Sequence, residues 1–408
     1  MAESALSSDT PYRGRISLET TFIAAACAFV FVFAAAGTPI PLYNTYRLED
    51  GLTHGDLAIV SVAYFIAAAA SLLVCGRLSN FVGRRPVALA ALLSAALGCL
   101  VLATMHSVTP MLIGRVLQGF ACGITSSSLG AYVVDTSAGK PRWLTATITG
   151  SSPMLGIPVG ALTAGALVQW VPAPRIVVYL VVASILVLLA ISIALIPETV
   201  ERRPGSLASL RPHMQIPKGT GKLVIAAGSA AVATWSLGGF YQAFGPSVTA
   251  EHLGTTSPLI AAAIFSSVMG LNPLGGLLSA RLSPVVSVRA GMSLFIISVT
   301  CIMFNLWAGW TLSFIATSLV VGIAQGLAST GAIRALLENT EMHERAGLLS
   351  SLYFISYSGA AIPGMIAGRL TARFDLFQIA LGYAALGIVA ALIAIATIRN
   401  SANRDRRT

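Results

Sequence analysis

Long apolar blocks dominate the chain, and short polar segments separate them. Twelve blocks of about 20 or more residues lie between Thr20 and Ile398. A helix needs roughly 20 apolar residues to cross the hydrocarbon core of a bilayer. The pattern therefore predicts twelve membrane-spanning helices joined by short loops, with no room for a soluble domain of ordinary size.

Prolines, charges and turn residues set the predicted boundaries of the twelve spans. Pro39 and Pro41 cannot donate to a helical ladder, so we expect the first span to end there and Arg47–Asp56 to form a polar loop. The predicted spans are Thr20–Tyr43, Leu57–Gly76, Pro86–Met105, Pro110–Val134, Leu144–Val168, Arg175–Ile196, Leu223–Pro246, Ser257–Ser279, Ser287–Ala308, Trp310–Ala332, Gly347–Gly368 and Leu376–Ile398.

A segment rich in proline and charge divides the spans into two sets of six. We expect an N-terminal half over residues 1–196, a cytosolic linker over 197–222 and a C-terminal half over 223–408. Several residues recur at offsets near 200, which indicates parallel six-helix repeats. The recurring residues are Gly76, Leu78 and Ser79 with Gly276, Leu278 and Ser279; Gln118 and Gly119 with Gln325 and Gly326; and Pro158 with Pro363.

The composition excludes a soluble globular protein and sets the orientation. The chain is 56% hydrophobic and 10% charged, whereas soluble domains carry about 25% charged residues. Twenty of the 25 lysines and arginines fall in segments on the side predicted for both termini, including Arg13 and Arg15. The positive-inside rule therefore predicts cytosolic termini, and it explains the net charge of +10 without nucleic acid. We expect the membrane to be a bacterial inner membrane. The five cysteines fall inside apolar runs and are interpreted as small hydrophobic residues.

The turn GRLSNFVGRRPV, between the second and third predicted spans, resembles the loop signature of the major facilitator superfamily. Matching residues are Gly76, Leu78, Ser79, Gly83, Arg84 and Arg85, whereas Asn80 and Phe81 replace the aspartate and arginine of that signature. The resemblance covers nearly the whole chain. It implies an all-α integral membrane fold, with twelve transmembrane helices in two six-helix halves, the major facilitator fold. It also implies secondary transport by alternating access.

The resemblance implies that this turn, with Gly76, Asn80 and Arg84, helps to hold one state of the transport cycle. Asn80 can accept a hydrogen bond at a helix N-terminus but brings no charge to its positive end. We therefore expect a weaker electrostatic latch at the inner side. The resemblance also suggests Arg84 as the partner of Asp135 at the end of span 4. The alternative is a solvated carboxylate at Asp135.

Span 4 carries Arg115, Gln118 and Gly119, which resemble a second motif of the family. An arginine inside a span costs at least about 2.5 to 3.5 kcal/mol on insertion scales, so it normally faces protein or water. Arg115 is therefore a candidate for proton coupling or gating. A structural arginine bonded to carbonyls of neighbouring helices is the alternative.

Span 5 carries Gly156, Pro158 and Gly160, which resemble a loose form of the glycine-proline motif of proton-driven exporters. Small residues allow close helix contact and proline loosens the ladder, as a bending gate helix requires. Helix packing alone accounts for these residues equally well.

In the fold that the resemblance implies, spans 1, 4, 7 and 10 line a central cavity near the bilayer midplane. The candidate substrate contacts are Phe29, Phe33, Gln118, Trp235, Tyr241, Gln242 and Gln325. An aromatic cavity with few polar groups suits hydrophobic or amphipathic molecules. Alternatively, some of these aromatic side chains face lipid or neighbouring helices, because a helix that is apolar all round cannot be oriented from its pattern.

None of the fifteen acidic residues lies at the middle of a predicted span. Neutral or zwitterionic amphiphiles are therefore favoured over cations as substrates. Proton carriers would have to be groups at the rim, such as Asp56, Glu251, His54 or Asp135. All five histidines are expected in loops. The sequence contains no phosphate-binding loop and no nucleophile or metal-ligand spacing, so we expect neither an enzyme nor a cofactor or metal site.

The sequence thus predicts a monomer whose partners are a small-molecule substrate, protons and the lipid bilayer, and which is most similar to the twelve-span drug/proton antiporters. A metabolite or organic-anion carrier, with Arg115 as the counter-charge, is the main alternative. A lipid-handling or scaffold protein of the same fold is a further one.

Overall fold

The computed structural model describes residues 17–212 and 214–404. The predictions made for Arg13, Arg15, His213, Arg406 and Arg407 lie outside the described residues.

All regular secondary structure in the described residues is helical, and twelve long helices account for most of it. In chain order they are α1 (Leu18–Gly37), α2 (His54–Cys75), α3 (Arg84–Ala103), α4 (Val108–Asp135), α5 (Arg142–Trp170), α6 (Pro174–Leu195), α7 (Gly221–His252), α8 in two parts (α8a, Pro258–Gly270, and α8b, Asn272–Ser279), α9 (Pro284–Ala308), α10 (Thr311–Glu338), α11 (Arg345–Leu370) and α12 (Leu376–Arg404). Short helices at Tyr43–Glu49, Ser79–Val82 and Ser206–Ser209 lie between them.

Eleven helices of the described chain, with α8 counted as one, are long and apolar enough to cross a membrane. The twelfth, α11, is less apolar because its N-terminal half carries Ser350, Ser351, Tyr353, Ser356 and Tyr357. It lies inside the bundle against α2 and α7, where lipid does not have to solvate every face. The predicted all-helical fold of twelve spans is confirmed.

The first span ends where its prolines predict, but the polar loop after it is shorter than expected. Helix α1 stops at Gly37, and a 3-10 turn at Ile40–Leu42 leads into the helix Tyr43–Glu49. The helix resumes because proline is tolerated in a first turn, where the backbone N–H has no helical partner. The prediction that the loop begins at Arg47 is therefore wrong, since Arg47 is helical.

Two later boundaries are also wrong. Helix α7 continues through Pro246 to His252, and α10 continues past Ala332 to Glu338. A proline removes one helical hydrogen bond but does not have to end a helix that its neighbours hold. Because His54 begins α2 and His252 ends α7, the prediction that all histidines lie in loops is wrong for these two.

The helices α1–α6 and α7–α12 form two sets, which we call the N-terminal and the C-terminal set. The sets contact each other mainly through α2 with α11 and α5 with α8a. Small residues allow this approach: a Cβ on Gly165 would lie 2.9 Å from the carbonyl oxygen of Pro258, and one on Gly55 3.0 Å from that of Gly368. We call the end of the bundle where α1 begins the inner end, and the opposite one the outer end.

The two Gln-Gly pairs that recur in the sequence occupy comparable places in the two sets. A Cβ on Gly119 would lie 2.4 Å from the carbonyl oxygen of Tyr64, so α4 packs closely on α2. A Cβ on Gly326 would lie 1.9 Å from the carbonyl oxygen of Asn272, so α10 packs as closely on α8. Only glycine permits either contact. The division at residues 197–222 stays a prediction.

Candidate functional site

A cavity of about 470 Å³ lies between the two sets. Helices α1, α2, α4, α5, α7, α8, α10 and α11 contribute to its lining. Most lining residues belong to the inner halves of their helices, and Tyr353, near the inner end, is 42% exposed. The cavity therefore opens toward the inner end. Five of the seven predicted contact residues line it: Phe29, Phe33, Trp235, Gln242 and Gln325.

Aromatic side chains form much of the cavity wall. The rings of Trp235 and Tyr357 meet edge to face with their centroids 4.7 Å apart, and those of Phe29 and Phe33 are 5.8 Å apart. Phe65 also lines the space. Among the described lining residues none is charged. The amide nitrogens of Gln242 and Gln325 are buried, and neither has a hydrogen-bond partner in the described part of the chain.

Gln118 and Tyr241 do not line the cavity, in contrast to the expectation from sequence. The Nε2 of Gln118 donates to the carbonyl oxygen of Ala35 at 2.8 Å, so this side chain faces α1. The hydroxyl of Tyr241 lies 2.6 Å from that of Ser318, and its ring stacks on Phe314 inside the C-terminal set. Both side chains satisfy their polar groups within one set, which is why they turn away from the space between the sets.

Arg115 is fully buried beside α1 and α2. Its Nη1 donates to the carbonyl oxygen of Ala36 at 2.7 Å and to Oε1 of Gln118 at 2.9 Å. The guanidinium lies 4.3 Å from the ring centroid of Tyr64, a residue of the cavity wall. Its Nε and Nη2 have no hydrogen-bond partner among the described residues. The hydrogen bond to a backbone carbonyl that is expected of a structural arginine is therefore present. Tyr64 separates the buried guanidinium from the cavity.

At the inner end, Arg84 connects the turn before α3 to the end of α4. Its Nε donates to Oδ2 of Asp135 at 3.1 Å, and its Nη1 donates to Oδ1 of Asn80 at 2.5 Å. The pairing suggested for Arg84 and Asp135 is thus present in the structure. Asn80 accepts from a side chain rather than from the backbone of a helix N-terminus. Gly76 directly follows the last residue of α2, at the start of this turn.

Glu198 is a residue that sequence reasoning missed. Its carboxylate accepts hydrogen bonds from the backbone N–H of Arg84 at 2.8 Å and of Arg85 at 3.0 Å. It therefore supplies a negative charge at the N-terminus of α3. Gly83 makes room for it, with φ at 109° and no Cβ, since a Cβ would lie 2.4 Å from Oε2 of Glu198. No sequence motif links Glu198 to the turn, because Glu198 lies more than a hundred residues away from it.

The glycine-proline segment of α5 packs against α1. A Cβ on Gly156 would lie 2.5 Å from the carbonyl oxygen of Val30, and one on Gly160 1.8 Å from that of Ala34. The carbonyl oxygen of Pro158 accepts from the Ser266 hydroxyl of α8a at 3.4 Å. Close packing accounts for both glycines. A bending role for Pro158 stays a prediction.

A charged cluster joins the two sets at the outer end. Oε1 of Glu251, on α7, lies 3.1 Å from Nη2 of Arg47 and 3.1 Å from Nε2 of His54. We call these three residues the outer cluster. Asp56, another predicted rim group, instead accepts from the backbone N–H of Thr53 at 2.8 Å in a capping box at the start of α2.

Comparisons with known proteins identify the family of this chain, but the names of the similar proteins refer to different substrates. A family model described as Major Facilitator Superfamily matches residues 24–271, more than half of the chain. The sugar transporter ERD6-like 8 of Arabidopsis thaliana is 24% identical over 148 residues, which are 36% of this chain and 31% of the relative. The multidrug resistance protein MdtL of Klebsiella pneumoniae is 28% identical over 125 residues, 30% of this chain and 32% of that protein.

Two further proteins resemble the chain. The class C tetracycline resistance protein of Escherichia coli is 36% identical over 86 residues, 21% of this chain and 20% of that protein. The matched segments thus span a fifth to a third of these relatives. A crystal structure of a mutant of the nucleoside transporter NupG superposes with a TM-score of 0.71 and 13% identity, covering 92% of this chain and 99% of that one. At this identity the likeness shows the fold alone.

Proposed function

The chain belongs to the Major Facilitator Superfamily, and from that premise we propose that it exports neutral hydrophobic or amphipathic small molecules by alternating access, driven by the proton gradient. It is a multi-pass membrane protein of a transporter family. The two sets of helices rock about the cavity, which is exposed to one side of the membrane at a time.

The observation that carries the proposal is the uncharged, aromatic lining of the cavity. Pockets for drug-sized ligands are about 300–1,000 Å³ and mostly apolar with a few polar groups, and this cavity, at about 470 Å³, falls within that range. Charged substrates would lose hydration on entering without gaining an opposite charge in return. Two of the relatives carry multidrug or tetracycline resistance in their names, which agrees with the class of substrate proposed.

Orientation and coupling are part of the same proposal. The inner end faces the cytosol, with both termini on that side of a bacterial inner membrane, and the transporter is a monomer with its halves at residues 1–196 and 223–408. Protons act through groups outside the cavity, with Arg115, Asp135 and the outer cluster as the candidates. Arg115 does not line the cavity, so nothing favours the organic-anion alternative in which it would contact substrate.

Transport into vesicles tests the proposal. Purified protein is reconstituted, a pH gradient is imposed, and the movement of three dyes that differ in charge, one neutral, one cationic and one anionic, is followed. We expect the neutral dye to move against its gradient, and a protonophore to abolish this. Preferential movement of either charged dye would contradict the substrate class, and neutral-dye transport that ignores the pH gradient would contradict the coupling.

A further inference from the structure

Two groups of side chains lie at different depths in the cavity, and Thr234, Gln325 and Ser356 are polar residues at the deeper level. Six polar residues lie about seven to nine residues from the inner ends of their helices, or roughly 10–14 Å of helical rise. This polar tier consists of Ser126, Ser127, Thr149, Asn272, Ser329 and Thr330. Six aromatic residues lie about 10 to 15 residues from those ends, or roughly 15–22 Å, whereas Tyr353 lies at the depth of the polar tier. This aromatic tier consists of Phe29, Phe33, Tyr64, Phe65, Trp235 and Tyr357.

The two sets contribute different chemistry to the polar tier. In the N-terminal set the hydroxyl protons are already used within helices: Ser126 donates to the carbonyl oxygen of Cys122 at 3.0 Å, Ser127 to that of Ile124 at 3.0 Å and Thr149 to that of Thr145 at 2.8 Å. Serine and threonine in apolar helices commonly bond in this way. Their oxygens can therefore still accept a hydrogen bond from a ligand, but they offer no donor.

The C-terminal set keeps its donors. The side chains of Asn272, Ser329 and Thr330 make no hydrogen bond within the described part of the chain, and all three are only half-buried. Asn272 follows the break between α8a and α8b, which directs it toward the cavity rather than along a continuous helix. Three free donors thus face the inner part of the space, opposite hydroxyl oxygens that only accept. The amide nitrogens of Gln242 and Gln325, which also lack a partner in the described chain, are buried and lie deeper.

From this arrangement we infer that the cavity is a two-tier site for neutral molecules that have an aromatic body and an uncharged acceptor, a carbonyl or ether oxygen, at one end. The body lies against the aromatic tier. The acceptor points toward the inner end and binds the donors of Asn272, Ser329 and Thr330. The inference rests on the proposed function, because it names the substrate class and the orientation of the substrate in the same cavity.

The neutral naphthalene ketone prodan tests this inference, because it carries one carbonyl acceptor and no donor. Its emission moves to shorter wavelength when the carbonyl loses a hydrogen bond. Binding is measured by titration of the purified protein, and the signal from a cavity-filled Gly238→Trp variant is subtracted. A Cβ at Gly238 meets open space, so the larger side chain has room to enter the cavity.

The double variant Ser329→Ala with Thr330→Val removes two donors with little change in shape. It is expected to weaken prodan binding about three- to tenfold and to shift the bound emission to shorter wavelength, as loss of a neutral hydrogen bond requires. Ser350→Ala is the matched control. Ser350 lies on α11 near the inner end but outside the cavity lining, and its hydroxyl donates to the carbonyl oxygen of Ala346 at 2.9 Å, so affinity and emission should stay those of the parent.

Three results would overturn the inference: no saturable binding by the parent, unchanged affinity and emission in the double variant, or an equal loss in Ser350→Ala. Each variant is first shown to elute as one species with the parent's thermal unfolding temperature. The experiment distinguishes a failure of the proposed export from a failure of the proposed binding site. If prodan binds with the predicted pattern but no pH gradient moves it, the two-tier site stands and the proposed proton-coupled export does not.

Discussion

Replacing Glu251 by glutamine is expected to open the outer end of the transporter more often. Glu251 is the single acidic member of the outer cluster and contacts Arg47 and His54 across the two sets at 3.1 Å each. These contacts exist only while the sets touch at the outer end. The substitution keeps the size of the side chain and removes its charge, so it weakens the closed arrangement without altering the packing of either set.

The size of the effect follows from the exposure of the cluster. The side chain of Glu251 is 36% exposed, that of Arg47 26% and that of His54 20%. An exposed ion pair contributes about 0.2–1 kcal/mol to stability. We expect the pair of Glu251 and Arg47 to lie at the upper end of that range, because both side chains are partly shielded from solvent. A loss of about 1 kcal/mol shifts an equilibrium about fivefold.

A single cysteine at Gly245 reports this equilibrium. Gly245 lies on α7 toward the outer end, is buried, and has open space where a Cβ would be placed. In a background without the five native cysteines, a membrane-impermeant maleimide added from the outer side should label Gly245→Cys about fivefold faster when Glu251→Gln is also present.

Glu49→Gln is the matched control for this experiment. Its carboxylate lies 2.9 Å from Arg175, so it also forms an outer ion pair, but one that stays within the N-terminal set. Its labelling rate should equal that of the parent. The reasoning is refuted if Glu251→Gln labels no faster than the parent, or if Glu49→Gln accelerates labelling to the same extent.

Three further substitutions test residues around the cavity and the inner turn. Glu198→Gln exchanges charge-assisted bonds to Arg84 and Arg85 for neutral ones, so it should cost about 1–2 kcal/mol and lower the thermal unfolding temperature in detergent, whereas the exposed neighbour Glu201→Gln should not. Asn80→Asp restores the aspartate of the family's signature, which the resemblance places at the positive end of a helix of the C-terminal set, and should favour the state closed at the inner end; unchanged labelling of a cysteine in the inner part of the cavity would count against this. Arg115→Ala should abolish proton-coupled transport while prodan binding persists, because Arg115 lies outside the lining; a variant that transports like its parent would remove Arg115 from the coupling mechanism.

Features that depend on a local pattern were predictable from the sequence. The twelve apolar blocks correspond to twelve long helices, since a bilayer allows few alternatives for such segments. Helix ends were less predictable. Pro246 does not stop α7, because the neighbours of this helix hold a segment that an isolated helix would not keep.

The orientation of side chains inside the bundle was the least predictable part. Gln118 and Gln325 recur in the two repeats, yet Gln118 bonds to α1 and Gln325 lines the cavity. A helix that is apolar on all sides carries no pattern that distinguishes these faces. The role of Glu198 could not be predicted for a different reason. Its partners Arg84 and Arg85 are distant in sequence, and it contacts their backbone N–H groups, which are the same in every residue type except proline.

Filling the cavity tests the central claim most directly. Gly238 and Gly382 both lie on long helices with open space where a Cβ would be placed, but Gly238 lines the cavity and Gly382 is exposed on the outside of the bundle. In vesicles with an imposed pH gradient, Gly238→Trp should abolish transport of the neutral dye, while Gly382→Trp should transport it at the parent's rate. Transport that persists in Gly238→Trp would show that substrate does not pass through this cavity and would contradict the account.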